Sequence, residues 1–376
     1  MFLIPNPALG VFFHWLGGLA SASFYVPYRG VRRWAWETYW LVGGFFSWII
    51  APWLLAYFLT RDLLSVLSET PTQTLFWAVL FGLLWGIGGL TFGLTMRFLG
   101  LSLGMAIALG LCAVFGTLMP PIFSGVFFSQ VFGTGSGRVI LSGVFVCVLG
   151  IAAAGLAGIF KERELPTEQK RTAIREFNLR KGIGVATLSG VMSACFAYGL
   201  AAGAPIKALT LKHGTPALWQ GLPVLIVVLI GGFTTNFLWC LALNFKNKTG
   251  LQYFSGNRDH RHRPIETRVP ETATTTAEPV PMLSNYLFCA LAGTTWYFQF
   301  FFYTMGETQM GKYGFSSWTL HMASIIIFST LWGLGFKEWK GAGAPAMRFL
   351  TLALFLLVGS TVVVGYGNFL AAARGH

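Results

Sequence analysis

The sequence predicts an all-α integral membrane protein, with ten transmembrane helices arranged as two inverted five-helix repeats. Three observations predict this. Charged residues make up 10% of the 376, against roughly a quarter in soluble domains, too few to cover a water-soluble globule of this size. Ten apolar stretches reach the ~20 residues a membrane helix needs. Short motifs in the first half recur in the second, in the same order.

The ten stretches are 9–27, 38–59, 74–96, 101–122, 138–160, 183–205, 217–243, 284–306, 316–336 and 347–371. The first follows MFLIPNPALG, which lacks a basic leader region and a small-residue cleavage site, so the first stretch reads as a retained span. The expected domains are an N-terminal repeat at 1–160, a charged cytoplasmic loop at 161–182 and a C-terminal repeat at 183–376. The last contains a polar segment, 245–281, whose composition cannot bury a core and reads as a disordered cytoplasmic loop. His260 and His262 in that segment read as part of a solvated basic tract. The sequon Asn247-Lys248-Thr249 should be idle there.

Net charge is +13. In a membrane protein this reads as topology, without a nucleic-acid partner. Twenty of the 26 Lys and Arg lie in loops after odd-numbered spans, which places those loops in the cytoplasm and both termini outside. The five cysteines all lie in apolar runs without metal-ligand spacing, so they read as small packing residues. GTGSGR at 133–138 lacks the lysine of a phosphate-binding loop and reads as an external loop. Zinc-protease and serine-hydrolase motifs are missing as well, so no enzyme activity and no cofactor are expected.

The repeat rests on two alignments. Ser21-Ala22-Ser23-Phe24 in span 1 matches Ser193-Ala194-Cys195-Phe196 in span 6. Gly82, Trp85 and Gly100 in span 3 match Gly293, Trp296 and Gly311 in span 8 at one offset. Five helices per half is an odd number, so the second half enters the membrane inverted. This is the architecture of alternating access. Small stripes, Gly10-His14-Gly18-Ala22 in span 1 and Ser189-Ser193-Ala197-Ala201 in span 6, should face other helices.

Ionisable groups inside spans are costly and point to function. His14, Glu37, His321 and Glu307 are the proton-coupling candidates. His14 sits on the small stripe and should face the interior. Core packing is the plain alternative for both histidines, and a helix N-terminal acid for Glu37. Trp85 and Trp296 fall at matched depth near span centres, where a cavity could use their flat faces. Gln299, one turn beyond Trp296, and Asn236 supply buried amides, which must find partners. These four are the substrate-binding candidates. Trp34, Trp36, Trp40 and Trp339 read as an interfacial belt.

WETYWLVGGFFSWIIAPW (36–53), FGLTMRFLGLSLG (92–104), EFNLRKG (176–182), WYFQFFFY (296–303), SWTLHM (317–322) and KEW (337–339) keep an order and spacing that resembles the L-rhamnose:proton symporter family, of the drug/metabolite transporter superfamily. The resemblance spans about residues 10–343. It implies proton-coupled uptake of a deoxy sugar such as L-rhamnose across a bacterial inner membrane, with H+ as coupling ion. It carries over His14, Glu37, Gln299 and His321, and Arg97 of the T-M-R motif as a structural or gating residue. The chain departs from the family pattern at Gly89 and Ala201, where Asn is expected, in its longer 245–281 loop and in Glu307. The expected partners are sugar, proton and membrane lipid, with oligomeric state left open. The alternative is a membrane sugar sensor or scaffold that keeps the transporter fold without transporting.

Overall fold

The computed structural model describes residues 5–164, 178–255 and 279–374. Most of the charged 161–182 loop and of the 245–281 segment, with His260 and His262, lies outside the described residues. Every regular element among the described residues is helical.

Helix α1 (Pro7–Ser23) opens with Asn6 accepting from the Leu9 amide and with proline at its first position, where a missing N–H costs nothing. A single turn, α2 (Tyr25–Tyr28), follows. The second span is α3 (Trp36–Gly44), a π turn (Phe45–Ile50) and α4 (Ala51–Leu59) in sequence. Pro52 accounts for the π turn: it has no N–H to offer the Trp48 carbonyl, and the Ala51 amide before it bonds back five residues to Phe46. Then come α5 (Leu63–Glu69), α6 (Thr72–Leu99), α7 (Leu101–Phe123) and α8 (Gly135–Glu164). The second half of the chain contributes α9 (Leu179–Ala202), α10 (Ala204–Lys212), α11 (Leu222–Asn247), α12 (Met282–Thr308), α13 (Ser317–Gly335) and α14 (Ala344–Arg374).

Nine helical segments among the described residues are long and apolar enough to cross a membrane. The expected span at 284–306 is a 27-residue helix, α12, but it is not among those nine. Thr294, Thr295, Trp296, Tyr297 and Gln299 at its centre lower its hydropathy. The short helices α5 and α10 were not anticipated, being too brief to leave an apolar period. Residues 135–138 of GTGSGR are not loop: they begin α8, where the Thr134 hydroxyl accepts from the Gly137 amide at 3.0 Å.

Packing follows a regular scheme. Helix α1 lies on α12 and α13, and α9 lies on α6 and α7. Helix α3 and its π turn lie on α12, α11 lies on α6, and α8 runs along α14. The closest approaches occur where side chains are missing. A Cβ on Gly82 of α6 would collide with the Val228 carbonyl of α11, and one on Gly293 of α12 with the Gly43 carbonyl of α3. In α1 the buried face is Gly10, His14, Gly17, Gly18 and Ser21, so His14 faces inward as expected. The α9 stripe is corrected at one position. Ser189 and Ala197 are buried, but Ala201 is exposed, because the helix face turns as α9 reaches its end.

Gly82→Ala and Gly293→Ala are each expected to cost about 1–3 kcal/mol through overpacking. Gly89→Ala, at a site with nothing within 4 Å of the new methyl, is expected to be neutral. Thermal unfolding of the purified variants in detergent checks the contrast.

Candidate functional site

The π turn in the second span sets the site. It seats the nearly fully buried Trp48 so that its ring lies 5.1 Å from Trp296 and 6.3 Å from Trp85. Trp296 stacks on Phe24 at 4.7 Å and 11°. Trp85 leans on Phe196 at 5.0 Å and on Phe300 at 5.6 Å. The two predicted tryptophans are therefore bridged by a third that sequence reasoning missed. Its signal was Pro52, four residues downstream, which forces the local change of register.

Asn236 joins the same group. Its Oδ1 accepts from Trp40 Nε1 at 3.1 Å, and its Nδ2 donates to the Gly232 carbonyl at 2.9 Å. Trp40 is thus no belt residue: it faces inward, 5.2 Å from Trp296, with its indole N–H spent on a buried amide. Trp34 also leaves the belt, being buried edge-on against Tyr286 at 4.9 Å. Trp36, 38% exposed, stacks on Trp40 from outside.

A second cluster forms where α1, α12 and α13 meet. Tyr303 of α12 stands between two imidazoles, with ring centroids 5.3 Å from His14 and 5.3 Å from His321. Both His14 nitrogens and His321 Nδ1 are buried without a hydrogen-bond partner. Gly306, one turn after Tyr303, leaves the room His14 occupies: a Cβ there would lie 2.8 Å from His14 Nε2. Ser324 Oγ ties the backbones, with the His14 carbonyl at 2.9 Å and the His321 carbonyl at 2.8 Å. Gln299, one turn before Tyr303, is buried with its Nε2 unpartnered. Buried polar atoms without a partner are candidates for contact with a ligand. Tyr303 closes the WYFQFFFY motif, and its i, i+4 relation to Gln299 was the available signal.

The clusters are connected. Trp318 packs 5.9 Å from Tyr303, 6.2 Å from His321 and 6.0 Å from Phe196, which in turn contacts Trp85. A continuous path of ring contacts therefore runs from the histidines to the tryptophans.

The remaining candidates lie apart. Glu37 is buried in the first turn of α3, and its Oε1 accepts from Asn247 Nδ2 at 2.9 Å and Thr249 Oγ1 at 2.8 Å. Asn247 and Thr249 of the sequon are thus structural, tying the end of α11 to the start of α3. Arg29 pairs with Glu338 at 3.2 Å. Glu307 pairs with Lys207 of α10 at 2.6 Å. A cleft of about 200 Å3 opens beside that pair, lined also by Gln220 and Thr308. Arg97 is exposed in the last turn of α6, where the helix dipole favours a cation. Gly89 and Ala201, the departures from the family pattern, are both exposed on the bundle, away from either cluster. Among the described residues no three His, Cys, Asp or Glu side chains converge as a metal site.

The profile of the L-rhamnose-proton symport protein (RhaT) family matches residues 5–371. Curated relatives agree. A protein of Pectobacterium carotovorum subsp. carotovorum (strain PC1) named L-rhamnose-proton symporter is 37% identical over 364 residues, covering 96% of this chain and 98% of the relative. Proteins of the same name from Mannheimia succiniciproducens and Yersinia pestis (strain Pestoides F) are each 35% identical over 360 residues, covering 96% of this chain and 97% of each relative. With a family match across nearly the whole chain and clusters built from the motifs that carry it, the chain belongs to the L-rhamnose-proton symport protein family, a family of transporters and not of enzymes.

Proposed function

We propose that this protein takes up L-rhamnose, or a closely related deoxy sugar, together with a proton across a bacterial inner membrane, by alternating access between two inverted five-helix halves. The observation that carries the coupling is the pair of unpartnered histidines on either side of Tyr303. His14 belongs to the first half, while Tyr303 and His321 belong to the second. Relative movement of the halves changes the surroundings of His14, as a coupling group requires. If protonation and sugar binding favour the same conformation, each raises the affinity for the other, which is symport by linkage.

Several observations support the repeat. Exchanging spans 1–5 with 6–10 maps the main contacts onto themselves: α1 on α12 and α13 becomes α9 on α6 and α7, and α3 on α12 becomes α11 on α6. Gly82 and Gly293, aligned by sequence, each meet a carbonyl of the corresponding helix. Counting α12 as the tenth span rests on its 27 residues, ~40 Å of helix against a ~30 Å hydrocarbon layer. The placement of both termini outside rests on the Lys and Arg bias. Trp85, Trp296, Trp40, Gln299 and Asn236 are the proposed sugar contacts, because aromatic faces and buried amides suit a ring with apolar and hydroxylated sides.

In proteoliposomes, L-rhamnose is expected to drive proton entry with the wild-type chain. His14→Ala and His321→Ala should abolish that signal while counterflow of labelled sugar persists. Full coupling in both variants would sink the proton assignment. Absence of counterflow in the wild type, with binding retained, would favour the sensor reading.

Gln299→Ala removes one proposed hydrogen bond to the sugar. It is expected to raise the half-saturation concentration about tenfold, equivalent to ~1.4 kcal/mol. Counterflow titrated with sugar reads this, and an unchanged value would remove Gln299 from the site.

A further inference from the structure

The proposed sugar contacts are short of free hydrogen-bonding groups. Trp40 donates its indole N–H to Asn236 Oδ1 at 3.1 Å, and Asn236 Nδ2 donates to the Gly232 carbonyl at 2.9 Å. Gln299 keeps Nε2 unpartnered, but it stands one turn from Tyr303, in the histidine cluster. Among the tryptophans that pack on one another at that site, one buried donor is unused. Trp48 is 1% exposed, and its Nε1 has no hydrogen-bond partner among the described residues.

The position of Trp48 singles it out. Its ring centroid lies 5.1 Å from Trp296, 6.3 Å from Trp85 and 6.4 Å from Trp40. It meets Trp296 at 60° and Trp85 at 89°, so it stacks flat on neither. Other unpartnered donors lie elsewhere. Trp15 packs on Phe328 and Trp34 on Tyr286, and the Tyr28 hydroxyl stands against the Gly43 backbone, where a Cβ would collide with it. Trp318 and Trp332 already donate, to the Cys112 carbonyl at 3.0 Å and to Ser23 Oγ at 2.9 Å.

An indole N–H donates and cannot accept. Its partner is therefore a lone pair, and the uncharged rings around Trp48 suit a neutral oxygen. A phenyl ring would pack there without leaving a buried donor to satisfy. The π turn that seats Trp48 points the same way, since such turns recur at functional sites. We infer that Trp48 is a further sugar-contacting residue, whose indole N–H donates to one oxygen of the bound sugar and makes that oxygen a requirement for tight binding. The inference rests on the proposed sugar site and adds a specificity rule to it. A site that hydrogen-bonds its ligand through a buried donor rejects the analogue lacking the acceptor far more strongly than apolar contact does.

The test is calorimetric binding to the full-length purified chain, using L-rhamnose and a set of analogues each lacking one oxygen. Trp48→Phe removes the N–H and is expected to weaken L-rhamnose binding about fivefold. For the one analogue missing the recognised oxygen, wild type and Trp48→Phe are expected to bind alike, while the other analogues keep the ratio seen with L-rhamnose. Replacing the indole of Trp48 by benzothiophene keeps the shape of the ring system and loses the N–H. It should give the same pattern, and it decides the matter if the phenyl variant does not fold. An unchanged affinity for L-rhamnose, or one ratio shared by every analogue, overturns the assignment, because lost packing weakens all ligands alike. A wild type that binds no sugar overturns the underlying site as well, whereas a wild type that binds without this pattern overturns Trp48 alone.

Discussion

The structure depends on how a polar helix is kept out of lipid. Inside a bilayer every polar group must find its partner within the protein. Helix α12 carries Thr294, Thr295, Tyr297, Gln299, Tyr303 and Thr304 through its middle, and the last four of these are buried. Such a helix must be enclosed, and its neighbours meet it through their smallest residues. Gly43 of α3 lies against Gly293, and Gly17 of α1 lies so close that a Cβ would sit 2.9 Å from the Gln299 carbonyl. Enclosure at backbone distance brings His14 and His321 onto Tyr303. The polarity of α12, the glycines around it and the histidine cluster are one constraint seen at three points.

The proposed repeat explains the frame, and its breaches mark the chemistry. Ser189 of α9 donates to the Gly88 carbonyl of α6 at 2.9 Å, the counterpart of Gly17 meeting the Gln299 carbonyl. By the same alignment His14 corresponds to Ala186, and Gln299 to Gly88. The interface of α9 with α6 therefore supplies packing where that of α1 with α12 carries an imidazole and an amide.

Much of the fold was legible because the membrane imposes a length and a hydropathy on each span. Nine of the ten stretches stand as long apolar helices. The tenth was legible as a helix, but its polarity sets it apart for the reason just given. What could not be read was what depends on contacts between distant residues. Trp40 looked interfacial because nothing local indicates that its N–H would reach Asn236, 196 positions away. Trp48 and Tyr303 lay inside quoted motifs, and their only signals were relations to neighbours: Pro52 four residues after Trp48, and the i, i+4 spacing of Tyr303 from Gln299. His14 was legible in direction, because a small-residue stripe identifies an inward face.

Glu37 and the histidines differ in how their polar atoms are partnered. Glu37 already accepts from an amide and a hydroxyl at the end of α11, so its carboxylate is committed to holding two helices together. His14 has no such commitment at either nitrogen. Its ring meets that of Tyr303 at 64°, an edge contact that fixes the imidazole in place without using either nitrogen. His321 stands on the same tyrosine from the other helix, so a second proton would set two like charges against one ring in a dry site. Under the proposed coupling the two imidazoles are therefore alternative places for one proton. In that proposal the contacts of Trp318 with Tyr303, His321 and Phe196 are what join the histidines to Trp85, in a core packed too closely for one ring to move without its neighbours.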